Sequence, residues 1–278
     1  MQGIFIPVAY AKAGGQTSWQ CPQHAFYDKL QELEIFKSAE WLAVIDVDEF
    51  INIHIGSCRL DDLISSAGEA DVIQLNWAVF GDNGQRSFSE MPVIQRFTKR
   101  IKEKHRINAG CKCLVKQPQR FERLRNHNPA RFKGPQSNIS VFSGSGETRD
   151  LVRDTNLNEA LQYTSTEAVC FKVAQINHYA TKSWPEYELR QIRGNGAIAA
   201  TQKGRQRYDD RYFSLRAQAD ISDVSILRHA QRLEDEIEFL TALPMVEDAM
   251  RIAIERLHYR IAKVSESASS DGEPNQRI

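Results

Sequence analysis

The sequence has no surplus of charge of either sign, because 36 lysines and arginines balance 36 aspartates and glutamates over 278 residues. This balance excludes a generally basic nucleic-acid-binding protein and a polyacidic disordered chain. No apolar run approaches the ~18 residues that a membrane-spanning helix needs. The first ten residues also lack the basic segment and the long apolar segment of a signal peptide. We therefore expect a cytoplasmic protein with no transmembrane segment and no nucleic-acid partner.

Cysteine is scarce and irregularly spaced. The five cysteines are Cys21, Cys58, Cys111, Cys113 and Cys170. An odd number at such spacing excludes a complete disulfide framework. Cys111 and Cys113 share one face of a strand, but no second cysteine pair or histidine pair accompanies them, so we do not expect a zinc site. The 41% share of hydrophobic residues is typical of a soluble globular protein.

Hydrophobic periodicity predicts an α/β fold that ends in a helical extension. Strands are predicted at residues 3–10, 41–45, 71–77, 93–97, 112–116 and 168–176. Helices are predicted at residues 26–36, 60–67, 184–193 and, with a break at Pro244, 224–264. A polar stretch at 117–165 is long for a loop and is either functional or partly mobile. We divide the chain into a main domain (1–200), a C-terminal helical extension (201–264) and a disordered tail (265–278).

The most specific local signal is Asp46-Val47-Asp48, which follows the apolar stretch 41–45. Residues i and i+2 of a strand share a face, so both carboxylates are expected to converge where the strand leaves the sheet. Ligands of open α/β sheets bind beyond the carboxyl ends of strands. A hard divalent cation, Mn²⁺ or Mg²⁺, relieves the repulsion between two carboxylates and also holds phosphate oxygens. The alternative is that the two acids only cap a loop or a helix.

Two further signals follow the strand predicted at 168–176. His178 is either a hydrogen-bonded structural residue or, as a neutral imidazole, the residue that completes the metal site. Glu186, Arg190 and Arg193 lie at i, i+4 and i+7 on one helix face. They form either a solvated, ion-paired face or a face from which Arg193 binds anionic oxygens.

The remaining candidates carry weaker signals. Trp77 and Gly81 belong to a turn with an aromatic platform, for which core packing and sugar stacking are equally open. Lys112, at a strand end, has the charge to neutralise a phosphate group. The basic run at 99–106 has no interleaved aromatic residues and is interpreted as a solvated face. His127 lies in the long polar stretch.

Several of these residues recur together, in order, in a known enzyme family. They are WLAVIDVDEF at 41–50, Asn76-Trp77, Phe80-Gly81, Gly84, residues 112–116, His127, Asn177-His178-Tyr179, Thr181, Lys182, Ser183, Glu186 and Arg193-Gly194. With this set, which spans roughly residues 20–195, the chain resembles a family 2-type glycosyltransferase of the GT-A fold, closest to the family 92-like branch. The resemblance implies a mixed, mainly parallel sheet flanked by helices.

The resemblance also implies a chemistry. The donor is expected to be a nucleotide-sugar, in particular a UDP-sugar, and the acceptor a hydroxyl group of a glycan or polysaccharide. Asp46 and Asp48 are expected to bind Mn²⁺ or Mg²⁺ and the donor diphosphate, and His178 is expected to be a late metal ligand. Transfer would occur by one displacement at the anomeric carbon, with inversion of configuration.

The expected roles of the other residues combine both lines of reasoning. Arg193 or Lys112 would add positive charge at the departing diphosphate. The base that accepts the acceptor's proton is expected to be Glu49, because it adjoins the metal site, with Asp82 as the next candidate. The expected substrate-binding residues are Asp46, Trp77, Gly81, Lys112, His127 and Arg193.

Only 45 residues precede Asp46, so we expect the first base-binding strand unit of the fold to be missing. Two other interpretations remain. A HAD-like phosphatase also has an Asp-x-Asp after a strand, but here Phe50 occupies the position where that motif has threonine or valine. The other is a non-catalytic sugar-nucleotide domain that acts as a partner subunit, for which the C-terminal helices would support a helix-mediated oligomer.

Overall fold

A computed structural model describes residues 22–134, 137–152, 156–193 and 208–270 of the chain. The helices in these residues are α1 (Pro22–Leu30), α2 (Glu34–Lys37), α3 (Leu60–Ala67), α4 (Val93–Arg96), α5 (Leu157–Gln162), α6 (Trp184–Arg193), α7 (Asp210–Ala217), α8 (Ala230–Thr241) and α9 (Pro244–Ser270). The strands are β1 (Trp41–Ala43), β2 (Glu49–Ile53), β3 (Val72–Val79), β4 (Lys99–Arg100), β5 (Cys111–Lys116), β6 (Phe121–Leu124), β7 (Pro129–Phe132), β8 (Asn138–Ser143), β9 (Thr148–Val152), β10 (Ala174–His178) and β11 (Ile221–Ser222). Short 3₁₀ helices cover Arg106–Ala109, Pro118–Arg120 and Ser225–His229.

A mixed seven-stranded sheet forms the centre of the fold. Its order is β1–β5–β3–β10–β2, with β8 beside β3 and β9 beside β8. β3 runs parallel to β8 and β10, whereas the pairs β1–β5, β3–β5, β2–β10 and β8–β9 are antiparallel. The α/β class and the mixed sheet flanked by helices are confirmed, but the prediction that the sheet is mainly parallel is wrong. Apolar runs locate strands without giving their direction, which depends on the neighbours that each strand acquires on folding.

Helices cover both faces of this sheet. On one face, Leu63 and Ala67 of α3 pack against Leu75 and Ile176 of the two central parallel strands. On the other face, α5 packs against the odd-numbered positions of β5. A fully buried leucine contributes about 1.5–3 kcal/mol through removal of its surface from water, so these contacts hold the layers together. The predicted helix at 60–67 and strand at 112–116 are both confirmed.

A buried polar network ties the segment after α7 to the sheet. Asn52 donates to Ser225 over 2.8 Å, and Gln175 donates to Asp223 over 3.1 Å. Burial would raise the pKa of Asp223, but hydrogen bonds from Ser225 and Arg100 outweigh it and lower the pKa to about 2. An ionised Asp223 therefore anchors this segment beside β10.

Three predicted strands need correction. The strand expected at 41–45 ends at Ala43 and is only half-buried. Residues 93–96 form α4 after Pro92, because a short apolar run is compatible with either a strand or a helix turn. The strand expected at 168–176 begins only at Ala174, and the polar stretch 117–165 contains β6–β9 and α5.

The C-terminal part is helical, as predicted. Pro244 begins α9, since a proline at the first helical position sacrifices no internal hydrogen bond. The helix continues to Ser270, so residues 265–270, predicted as part of a disordered tail, are helical. The rest of that tail (271–278) and the strand predicted at 3–10 lie outside the described residues. None of the helices in the described part of the chain has the length and apolar character required to cross a membrane.

Candidate active site

Four side chains meet on one face of the sheet because the strand register places them there. Lys112 on β5 pairs with Leu75 on β3, and Trp77 lies two residues further along β3. Trp77 pairs with Ile176 on β10, and His178 lies two residues further along β10. Glu49 on β2 pairs with His178. Side chains alternate faces with a period of two, so all four share the face that packs against α3. They lie at the carboxyl ends of β3 and β10, where open α/β sheets bind ligands.

The segment 44–48 crosses this edge of the sheet. β1 and β2 lie at opposite ends of the strand order, so the segment passes the ends of β5, β3 and β10. Asp46 lies beside β5, and the carbonyl oxygen of Asp48 accepts a hydrogen bond from the backbone of Tyr179 over 2.9 Å. Because this segment is irregular rather than a continued strand, the prediction that strand geometry aligns both carboxylates is wrong.

Lys112 is the buried cation of the cluster. Its side chain is 1% exposed, and its Nζ lies 3.0 Å from Asp46 Oδ2 and 3.1 Å from Glu49 Oε2. The same Nζ donates to the carbonyl oxygen of Asn126 over 2.5 Å. The ammonium group has three donors, and all three have partners. Lys112 therefore joins the Asp46 segment to the first residue of β2.

Glu49 has no exposed side-chain surface and uses both carboxylate oxygens. Oε1 accepts a hydrogen bond from Trp77 Nε1 over 3.0 Å, and Oε2 accepts one from the backbone of Asp46 over 3.1 Å. Burial raises the pKa of Glu49 from 4.5 to about 7, although the charge of Lys112 opposes this rise. The carboxylate therefore positions three neighbours and titrates near neutral pH.

Two histidine rings lie against Trp77. The His178 ring centroid is 4.6 Å from that of Trp77, and the His127 centroid is 5.4 Å away. Nδ1 of His127 lies 3.2 Å from the carbonyl oxygen of Cys111. The structure therefore brings His127 and His178 against the Trp77 ring. The substrate-binding roles of Trp77 and His127 stay predictions.

His178 is buried, and its Nδ1 has no hydrogen-bond partner among the described residues. Burial lowers the pKa of His178 well below its usual range, and the nearby charges of Arg190, Arg216 and Lys112 lower it further. The imidazole is therefore neutral at physiological pH. A neutral imidazole with an open nitrogen can accept a hydrogen bond or ligate a metal ion.

Asp48 is held by a different cation from the one that holds Asp46. Its Oδ2 lies 3.1 Å from Nη1 of Arg190 on α6. Arg190 also donates to the carbonyl oxygen of Ala180 and to the hydroxyl of Tyr208. Each carboxylate of the Asp-x-Asp motif is thus neutralised by one cation, and these cations come from separate elements.

No three His, Cys, Asp or Glu side chains are grouped to hold a metal ion within the described residues. The Asp46 side chain is 44% exposed, whereas that of Asp48 is 13% exposed. Asp46 therefore keeps carboxylate surface open to solvent beside its contact with Lys112, whereas Asp48 is largely covered beside Arg190. The metal assignment to Asp46, Asp48 and His178 stays a prediction.

A cleft of about 640 Å³ opens beside Asp48. Its floor includes Lys182, Arg190 and Arg193 from the α6 region, and α9 forms another wall. Arg193 is exposed at this cleft, as a role in anion binding would require. Glu186 lines the same cleft as Arg190 and Arg193, and its carboxylate also forms an ion pair with Arg96 of α4 at 2.5 Å.

Gly81 and Asp82 follow β3, and Gly81 lies against the end of α7 and the residues after it. A Cβ atom at Gly81 would lie 2.6 Å from Cβ of Ala219 and 2.9 Å from the carbonyl oxygen of Ala217, so the close approach of this segment requires glycine. Asp82 is buried, and its Oδ1 accepts a hydrogen bond from the backbone of Gly84 over 3.0 Å. Their assigned roles in substrate binding and as the alternative base stay predictions.

Sequence reasoning missed two features of this site. It placed Arg190 on the correct helix face but did not identify Asp48 as its partner. It also gave α9 no part in the site, although its residues line the cleft. The cations at 260 and 263 were a visible signal, but only the docking of α9 against α6 brings them to the site.

Comparison with models of protein families identifies the family of this chain. The family model described as glycosyltransferase family 92 matches residues 33–210, which include all the strands of the central sheet as well as α6. The matched range ends before α8 and α9. No curated protein matches the chain. The family match favours a sugar transferase over the phosphatase interpretation.

Proposed function

The chain belongs to glycosyltransferase family 92, and we propose that this glycosyltransferase moves a sugar from a UDP-sugar to a hydroxyl group of a glycan or polysaccharide, with inversion and with Mn²⁺ or Mg²⁺. One observation carries the proposal: the Asp46–Asp48 segment lies across the carboxyl ends of β3 and β10, beside a cationic cleft. This placement supports a GT-A-like architecture. The cytoplasmic location, the domain division, the short N-terminus and the role as a partner subunit stay predictions.

The cleft has the charge that a donor diphosphate requires. Lys182, Arg190 and Arg193 line it together with Asp48, and Arg190 is the one that Asp48 neutralises. A guanidinium group binds phosphate oxygens through two parallel hydrogen bonds, and such charge-assisted bonds are stronger than neutral ones. We assign the diphosphate to Arg193 and Lys182.

The side chains at the edge of the sheet fit a divalent cation in part. His178 offers an open, neutral nitrogen, and Asp46 offers exposed carboxylate surface. Together with Asp48 these residues would hold the ion, provided that Asp48 exchanges its contact with Arg190. When bound, the ion supplies positive charge to the leaving diphosphate. Lys112 keeps Asp46 and Glu49 in place before the ion arrives.

The proton of the acceptor hydroxyl requires a base, and Glu49 and Asp82 stay the predicted ones. The geometry supports a positioning role for Glu49, since its side chain has no exposed surface and both oxygens contact the protein. Its hydrogen bond orients the Trp77 indole, and its ion pair holds Lys112. We therefore propose that Glu49 fixes the edge of the site on which the donor binds.

Calorimetric titration of UDP, with and without Mn²⁺, tests the donor site. Wild type is compared with Asp48→Asn and with Asp235→Asn, a control on the exposed surface of α8 whose carboxylate accepts a bond from Gln231. We expect Mn²⁺-dependent binding in wild type and in the control, and its loss in Asp48→Asn.

Two results would contradict the proposal. Equal binding of UDP with and without Mn²⁺ would show that the donor site does not use the metal ion. Unchanged Mn²⁺-dependent binding in Asp48→Asn would show that the donor binds elsewhere. A urea titration of each variant shows whether it is folded, so that loss of binding is not confused with loss of structure.

A further inference from the structure

Helix α9 supplies one wall of the cleft, although it lies beyond the residues that the family model matches. The wall is lined by Leu257, Tyr259, Arg260, Lys263 and Val264. Leu257, Arg260 and Val264 are spaced by three and four residues, so they share one helix face. The cleft is therefore lined in part by an element outside the residues that the family model matches.

Contacts on two sides hold this helix beside the site. Nε2 of His258 lies 2.9 Å from Glu90, and its ring packs edge-on against Phe88 at 5.4 Å. Further along, α9 lies against α6, the helix that carries Arg190 and Arg193. The cations of α9 are thus held close to the proposed diphosphate site.

The cleft contains more positive charge than the donor needs. Its lining includes two carboxylates, Asp48 and Glu186, and five cations: Lys182, Arg190, Arg193, Arg260 and Lys263. Glu186 already forms an ion pair with Arg96, which lies outside the cleft lining. Of the cleft cations, Lys182, Arg193 and Arg260 have no ion pair within the described residues.

Lys263 has a partner, Glu266, but this pair is more than half exposed and contributes little stability. It can therefore exchange its partner for an anionic ligand. If Arg193 and Lys182 bind the two charges of the diphosphate, then Arg260 and Lys263 remain for a second anionic group.

Exposed apolar surface lies beside these two cations. Tyr259 is 65% exposed and Ile192 is 70% exposed, and both line the cleft. Nζ of Lys263 lies 5.9 Å from the centroid of the Tyr259 ring. An aromatic ring with an apolar body suits the face of a sugar ring, while adjacent cations suit an acidic substituent.

We propose that α9 selects an acidic glycan as the acceptor: a sugar ring packs against Tyr259 and Ile192, and its carboxylate or phosphate group binds Arg260 and Lys263. The inference rests on the proposed function for the identity of the cleft as a sugar-transfer site. Arg260 and Lys263 are then the residues that determine acceptor specificity.

The test measures glycan binding to the whole 278-residue chain by calorimetry. Trigalacturonate provides a carboxylate probe with α-1,4-linked galactotriose as its neutral counterpart, and mannose 6-phosphate provides a phosphate probe with mannose as its counterpart. The cleft variant is Arg260→Gln/Lys263→Gln. The matched control, Arg251→Gln/Arg256→Gln, removes the same charge from the same helix at positions outside the cleft lining.

We expect at least one acidic probe to bind more tightly than its neutral counterpart, and the cleft variant to weaken that binding by about tenfold or more. The control should bind as wild type does. The preferred acidic probe identifies the substituent as a carboxylate or a phosphate. The proposal would be overturned if neither acidic probe bound more tightly than its neutral counterpart. It would also be overturned if the control variant lost as much affinity for the acidic probe as the cleft variant does.

A parallel titration with UDP and Mn²⁺ separates this inference from the proposed function. UDP binding without any preference for acidic glycans would leave the donor site intact and refute the role of α9. Acidic-glycan binding that depends on Arg260 and Lys263, without UDP binding, would support the α9 surface and refute the transferase donor site.

Discussion

The buried carboxyl group of Glu49 leads to a quantitative prediction about the pH dependence of stability. Its side chain has no surface in contact with water, and burial raises its pKa from 4.5 to about 7 against the opposing charge of Lys112. The change that we propose is Glu49→Gln, which preserves size and removes the titration. The native state binds this proton more tightly than the unfolded chain does.

The sign and the size of the effect follow from this difference. A raised native pKa gives Glu49 a stabilising contribution that is fully present below pH 4.5 and is lost as the pH rises through 7. Between pH 5 and pH 8, wild type should lose about 2–3 kcal/mol of unfolding free energy more than the Glu49→Gln variant does.

Urea unfolding at pH 5, 6, 7 and 8 measures this difference. The control is Glu69→Gln, because Glu69 also pairs with a lysine at 3.1 Å but has a side chain that is 99% exposed. Its profile should run parallel to that of wild type. If the Glu49→Gln profile is parallel to wild type as well, the carboxyl group does not titrate as its burial implies and the reasoning is refuted.

Three further substitutions test the geometry of the site by urea titration. Trp77→Phe removes the donor to a buried oxygen of Glu49 and should lower the unfolding free energy by about 1–2 kcal/mol. Gly110→Ala should cost about 2 kcal/mol and change tryptophan fluorescence, because a Cβ there would lie 2.3 Å from the Trp77 ring. Arg190→Gln leaves Asp48 largely buried without its cation and should cost about 3 kcal/mol.

Each of these predictions has an outcome that contradicts it. A Trp77→Phe protein as stable as wild type would show that Glu49 does not rely on the indole. Unchanged fluorescence in Gly110→Ala would mean that the new Cβ fits without displacing the Trp77 ring. For Arg190→Gln, the control is Arg251→Gln, which breaks an exposed helix pair. Equal effects of these two substitutions would contradict the burial argument.

Local chemistry was enough to predict several elements from the sequence. The helix at 60–67 follows from its amphipathic spacing, and α6 follows from the Ser183–Glu186 pattern, in which the Glu186 carboxylate accepts bonds from the Ser183 backbone and hydroxyl. The run at 112–116 carries the branched apolar residues of a buried strand. These signals depend on residues that are close together in the sequence, so such elements can be predicted without knowledge of the fold.

The short strands and their directions could not be predicted in the same way. In the apolar run at 41–45, the strand β1 ends at Ala43. β1 pairs with β5 on one side only, and the residues after it must pass along the edge of the sheet to reach β2 at the other end of the strand order. Whether β5 runs parallel or antiparallel to β3 depends on long connections, for which hydrophobic periodicity carries no information.

The sequence by itself determined which chemical groups this protein has and, through DVDEF and the later His178 segment, the family to which it belongs. Only the tertiary structure decided which cation each carboxylate contacts: Asp46 pairs with Lys112, 66 residues away, and Asp48 with Arg190, 142 residues away. The physical reason is that an ion pair forms between neighbours in space, and the sheet order and the docking of α6 set those neighbours.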